Sequence, residues 1–236
     1  FAGLKDAIKN IKNFVKEDTV ILSLLNGVTS EDIIADVYGK DKMLYSYFIG
    51  HSSVRCGNSV THDDVNTIVF GAENNLSENV VAVKNFFDKV GINYKIPDDI
   101  KRSMWLKFML NVSANQPTAI LRMTFGDMFE NTHFMKFAEN IMREVQSVAK
   151  AEGVLNTETM VDEALKHLKT MTPDGKTSML QDVEAGRKTE VDMFAGTVIE
   201  LGKKHGISTP YNKILREMIG IIEEHQDIHR QEVVRV

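Results

Sequence analysis

The residues best able to do chemistry in this 236-residue chain are Lys107, Asn111 and Asn115. Each stands four residues after the last. On a helix they drift only about 40° per step and share one face. Trp105, Leu106, Phe108, Met109, Leu110 and Val112 stand around them, the background of a largely buried helix. A lysine buried without partners costs on the order of several kcal/mol. Water, a ligand or a carboxylate from elsewhere must therefore lie along this face, and we read it as a ligand.

A second informative stretch runs over residues 176–192 as a loop entering a helix, with Ser178 as its expected cap. Most of its carboxylates fit a solvated face. Glu190 differs, because Val191, Phe194, Ala195 and Val198 around it suggest a partly buried turn. On one straight helix Ser178 and Glu190 would stand ~18 Å apart, too far for one small ligand to touch both. Either the helix begins after Ser178 with a bend back toward the site, or one of the two is not a contact; the ordered turn marked by Pro173-Asp174-Gly175 just before favours the bend.

The elements that must carry these residues fall into two halves. Up to residue 97 the pattern alternates: helix over 3–16, buried strand over 19–25, helix over 31–38, strands over 43–50, 53–60 and 66–71, helix over 77–91 and strand over 92–96. Inward positions are expected at Leu4, Ala7, Ile8, Ile11, Phe14 and Val15, then at Val80, Val83, Phe86, Phe87 and Val90. Asn26-Gly27 closes the buried strand, where ligands of parallel sheets bind, so Asn26 is a further candidate. From residue 98 helical periodicity takes over: 98–115, a polar break at Gln116-Pro117, then 135–152, 157–169, 181–205 and 210–225. Gly153 and Gly206 suit left-handed helix ends, and the tail from Gln226 is expected to fray.

Composition narrows the function classes. A net charge of -5 gives no basic stripe for nucleic acid. No apolar run approaches the ~18 residues of a membrane span. A single cysteine, Cys56, excludes an internal disulfide framework and fits the cytoplasm. The seven histidines, at 51, 62, 133, 167, 205, 225 and 229, show no metal-ligand spacing, so no metal is expected. There is no P-loop, nucleophile elbow or G-x-G-x-x-G. The twelve methionines read as core filler.

Taken together, the motifs resemble the ketopantoate reductase (2-dehydropantoate 2-reductase) family. They are Leu25-Asn26-Gly27; Trp105, Lys107, Asn111 and Asn115; Pro117-Thr118-Ala119; Thr177-Ser178-Met179 with Gln181-Asp182; Gly186-Arg187 with Thr189-Glu190-Val191-Asp192; and Gly206-Ile207 with Thr209-Pro210. They run in the family's order over essentially the whole chain. The resemblance implies a Rossmann-like NADPH domain, of which residues 1–97 are the remainder, and an all-α substrate domain over 98–236, with a keto acid in the cleft between them. It implies Lys107 as general acid, and Glu190 as the group that orients and charge-balances the site. It assigns Asn111, Asn115 and Ser178 to the substrate's carboxylate and hydroxyls, and Asn26 to the nicotinamide.

Hydride addition to a 2-keto group builds charge on the carbonyl oxygen, which a protonated amine stabilises before giving up its proton. Burial is expected to lower the lysine's pKa, and Glu190 to oppose that. The family's first strand and glycine-rich turn would precede Phe1. The true N-terminus is therefore expected to be missing, and residues 1–236 alone are expected to be inactive. Leu25 stands where glutamine is frequent and Thr177 where serine is. Phe125 is bulky where some members are polar, which leaves room for another small 2-keto acid. In a different class stands a non-catalytic helical module over 98–236. The expected partners are a small keto acid and, at most, a second copy of the chain.

Overall fold

The computed structural model describes residues 3–50, 53–56, 58–62 and 66–234. The expectations attached to Phe1 and His51 lie outside these, as do the side chains of Cys56, His62 and His229. The chain divides into two compact units, residues 1–104 and 105–236.

The first unit carries α1 (Leu4–Asn10), β1 (Ile21–Leu22), α2 (Ser30–Tyr38), β2 (Met43–Ile49), β3 (Ser53–Cys56), β4 (Ser59–His62), β5 (Thr67–Gly71), α3 (Glu78–Val90) and β6 (Tyr94–Lys95). Its main sheet has the order β1-β2-β5-β6, and β3 and β4 form a separate hairpin. The sheet is mixed: β1 pairs parallel with β2 and β5 parallel with β6, while β2 and β5 run antiparallel with Tyr45 opposite Gly71. Leu44, Phe70, Val80 and Phe87 form one core cluster, and Phe70 meets Phe87 edge-on at 5.4 Å.

Several expectations are corrected here. The first helix stops at Asn10, leaving Ile11 and Phe14 exposed. The strand over 19–25 shrinks to Ile21–Leu22 and is half-buried. The segment 53–60 is not one strand but falls in two, β3 and β4, which pair antiparallel. On α3, Val80 and Phe87 point inward, whereas Phe86 and Val90 are exposed. Phe86 stands about 100° round the helix from Phe87 and falls outside the covered stripe.

A buried polar knot lies behind β1. Ser46 Oγ donates to the Ser23 carbonyl at 2.9 Å, the Ser23 and Ser30 hydroxyls lie 2.8 Å apart, and Ser30 Oγ donates to Glu31 Oε2 at 2.9 Å. Glu31 is only 3% exposed, and burial pushes its carboxyl up to about 7 against the hydrogen bonds that favour the anion.

The second unit is helical, and most of α4 (Ile100–Leu121) belongs to it, followed by α5 (Phe125–Glu130), α6 (Thr132–Ala151), α7 (Met160–Leu168), α8 (Ser178–Glu184), α9 (Thr197–Lys204) and α10 (Pro210–Val234). A π-helical turn, Asp192–Gly196, runs directly into α9. Along α6, Phe134, Ala138, Ile141, Met142, Val145, Val148 and Ala149 form a buried stripe at helical spacing. Glu144, on the same helix, accepts the Tyr211 and Asn212 backbone N–H groups at 2.8 and 3.1 Å and the Asn212 amide at 2.7 Å. It thereby satisfies donors that the first turn of α10 leaves without helix partners.

Gly153 and Gly206 take the left-handed conformation expected of them. The expected helix over 181–205 is two helices, since α8 ends at Glu184. The tail expected to fray from Gln226 continues α10 to Val234.

Candidate active site

Helix α4 runs unbroken through Pro117, where the sequence suggested a stop. Proline removes one N–H from the helix ladder and crowds the preceding turn. Two neighbouring side chains reinforce that turn. Gln116 donates from Nε2 to the Val112 carbonyl at 2.9 Å, and Thr118 donates from Oγ1 to the Ala114 carbonyl at 2.7 Å. Both residues are fully buried. The uninterrupted helix keeps Lys107, Asn111 and Asn115 in one register over a little more than two turns. Asn115 is buried, while Lys107 and Asn111 are partly so.

Next to Lys107 in the sequence, an aromatic cluster links α4 to the π turn. Trp105 meets Phe108 edge-on at 5.6 Å, and Phe108 lies 6.4 Å from Phe194. Burial draws the Lys107 amine down from its ordinary 10.5 to about 8, and the negative charge of Glu190 opposes that shift. An amine balanced near neutral pH can both stabilise an oxyanion as a cation and release a proton.

Glu190 reaches this position because the chain breaks before it. Gly186 adopts φ 64°, Gly186 N–H donates to the Val183 carbonyl at 3.1 Å and Arg187 N–H to the Asp182 carbonyl at 2.7 Å. This pair of bonds is a Schellman ending, which a left-handed glycine permits. The segment then turns and is held from α10: Glu223 accepts from Thr189 N–H and Oγ1, both at 2.7 Å, and Arg216 pairs with Asp192 at 2.8 Å. From α4, Gln116 Oε1 accepts the Ala195 N–H at 3.2 Å.

Ser178 is the exposed first residue of α8, and the cap is Thr177 instead, whose hydroxyl accepts the Leu180 N–H at 3.2 Å. Thr177 is buried against α4, with its Oγ1 2.9 Å from that of Thr118. Thus the bend lies after α8, at Gly186, and it is Thr177, not Ser178, that bonds to α4, at Thr118. Phe125 packs on the turn ahead of α8: its N–H donates to the Gly175 carbonyl at 3.0 Å, and its ring would lie 2.8 Å from a Cβ added to Gly175.

Asn26 belongs to the first unit. It sits half-buried in the loop after β1, and Gly27 beside it has φ 101°, a conformation nearly closed to other residues. Among the described residues no group of His, Cys, Asp and Glu could hold a metal ion, and no helix is long and apolar enough to cross a membrane.

Sequence reasoning missed Gln116 and Thr118. A glutamine and a threonine flanking a proline can both bond back to carbonyls of the preceding turn, and that pattern is the signal in the sequence.

Known proteins show the same build. Residues 99–223 match the C-terminal domain family described as ketopantoate reductase PanE/ApbA C terminal, and residues 2–75 match its partner, ketopantoate reductase PanE/ApbA. A 2-dehydropantoate 2-reductase of Aquifex aeolicus is 27% identical over 224 residues, covering 91% of this chain and 71% of that protein. Among solved structures, 2-dehydropantoate 2-reductase from Geobacter metallireducens is 25% identical with a TM-score of 0.82, over 93% of this chain and 73% of that one. D-mandelate dehydrogenase, in a ternary structure with NADH and anilino(oxo)acetate, is also 25% identical, with a TM-score of 0.84 over 96% of this chain and 74% of that one. With one of these family models covering more than half of its residues, the chain belongs to the ketopantoate reductase family.

Proposed function

We propose that this chain reduces 2-dehydropantoate to pantoate with NADPH, a step of pantothenate and coenzyme A biosynthesis in the cytoplasm. The observation that carries the reading is Lys107: an amine drawn down to about 8 by burial against the opposing charge of Glu190, on the same helix face as two asparagines.

A bound reduced nicotinamide supplies the hydride to the keto carbon. The residues present suit one end of that cofactor. Asn26 offers an amide in the loop that follows a parallel strand, and the left-handed Gly27 lets backbone approach a planar ring closely. The sequence holds no G-x-G-x-x-G for the diphosphate.

Lys107 stabilises the charge growing on the carbonyl oxygen and transfers its Nζ proton there, leaving a neutral amine and a 2-hydroxy acid. Asn111 and Asn115 orient the substrate's carboxylate and hydroxyl without adding charge, and Ser178 supplies a further hydroxyl. Glu190 keeps the amine protonated between turnovers. The charge on these groups suits a small anionic acid, and a second copy of the chain is a further partner.

The test is Lys107→Ala in the full chain, with NADPH oxidation followed optically. Turnover should fall by about two to four orders of magnitude, with little change in cofactor binding. Near-normal turnover would end the assignment. A second reading, reduction of a bulkier 2-keto acid, is favoured by the equal likeness to D-mandelate dehydrogenase. A panel comparing 2-dehydropantoate with aryl-substituted 2-keto acids separates the two.

A further inference from the structure

Lys107 and Glu190 stand on different elements of the second unit, so something must fix the distance between them. The contacts from α10, through Glu223 and Arg216, locate the 189–192 segment against α10 and not against the lysine's helix. A π turn hydrogen-bonds over five residues rather than four, and such turns recur mostly as single insertions at functional sites. The insertion rotates every residue before it relative to the helix that follows. Left alone, the segment would gain by relaxing into α9 as an ordinary α-helix, which would swing Glu190 around the axis. The Ala195 backbone N–H, inside the turn, donates to Gln116 Oε1 at 3.2 Å. Gln116 is 0% exposed, and its other amide atom is fixed to the Val112 carbonyl at 2.9 Å. A side chain held at both ends in a dry interior is a rigid connector.

We propose that Gln116 is a positioning residue: its amide clamps the π turn at Ala195 onto α4 and thereby holds Glu190 at its working distance from Lys107. Gln116 touches neither substrate nor cofactor in this role. The proposal rests on the reading of Lys107 as the proton donor, and extends the machinery to a residue outside the Lys-Asn-Asn stripe. The charges that border the turn are Glu223 and Arg216 from α10, and Arg187 with Asp182 at the end of α8. Substitution at position 116 alters none of them.

The experiment is Gln116→Met, which keeps the volume and removes the acceptor. The readout is the titration of Lys107 itself, followed as the pH dependence of its reductive methylation by mass spectrometry, with no turnover needed. With Glu190 released, the midpoint should fall by about half a pH unit or more, and Glu190→Gln should move it in the same direction. Gln146→Met serves as the comparison, because Gln146 makes a similar amide bond, to the Thr157 carbonyl at 2.6 Å, away from the π turn. It should lower thermal stability and leave the Lys107 midpoint in place. Should Gln116→Met not fold, Gln116→Asn withdraws the acceptor by about 1.5 Å with a polar amide retained, and the same fall is expected. A Gln116 variant that loses stability while Lys107 titrates unchanged would overturn the proposal and leave Gln116 a purely structural residue. Failure of the proton-donor reading is a separate result: Lys107→Ala would turn over normally, whatever Gln116 does to the titration.

Discussion

Replacing Lys107 by methionine should make the chain more stable near neutral pH, and the gain should vanish in alkali. Burial moves the amine from 10.5 to about 8, so the folded chain holds the proton less tightly than the unfolded one. Each pH unit of that displacement corresponds to ~1.4 kcal/mol, which makes protonated Lys107 unfavourable by ~3 kcal/mol in the fold. The penalty is complete below the folded value of about 8 and is relieved as pH rises from there toward 10.5. Between about pH 7 and about pH 10, the native chain should therefore gain ~2.5 kcal/mol relative to Lys107→Met. Methionine matches the length of the lysine stem, so little cavity cost intrudes. Urea denaturation of both proteins at several pH values measures the difference, and every other titrating group cancels between them. Two parallel stability curves would show that the amine is not desolvated, and the physical basis for a proton donor at this position would be lost.

Three further outcomes follow from other residues. Glu31 is buried with its carboxyl raised from 4.5 to about 7, so the fold favours the neutral acid and loses ~3 kcal/mol as pH climbs through that interval; Glu31→Gln should remove the decline, and a variant that tracks the native curve refutes it. Glu144→Leu withdraws the acceptor of three N–H bonds at the start of α10 and should cost about 3 kcal/mol in urea denaturation; a loss under about 1 kcal/mol would mean water replaces it. Gly186→Ala places a Cβ at φ 64° and should lower stability by about 1–2 kcal/mol in a thermal melt, whereas an unchanged melt would show that the Schellman ending tolerates other residues.

The fold class and the main stripe were legible because both rest on periodicity. Lys107, Asn111 and Asn115 recur at the helical interval in an apolar background, and the change from strands to helices near residue 98 is a change of period. What escaped depends on contacts between distant residues. Pro117 read as a break because proline costs a helix about 3 kcal/mol, and only the fold shows Gln116 and Thr118 reinforcing the turn. The segment around Gly186 read as continuous because its apolar spacing is helical on both sides, while the stop is a backbone conformation that a lone glycine does not announce. Ile11, Phe14 and Phe86 have core-like side chains on elements too short or too narrow to cover them. Ser178 looked like a cap, although Thr177 one residue earlier has the buried partner that decides the matter.

The clamp between Gln116 and Ala195 has a consequence for how such sites diverge. Its donor is backbone, so the side chain at position 195 is constrained only to be small enough to stay buried, and position 116 answers to a feature present in every residue but proline. Replacement at one position therefore creates no demand for a matching replacement at the other. Paired variation across descendants would leave this joint unseen, however tightly it binds the two elements, while coupling between side chains such as Glu223 and Thr189 would leave a trace. A device built this way can be lost in one step but cannot be traded for an equivalent by two compensating ones, which ties the lineage to an amide at position 116 for as long as the π turn is kept.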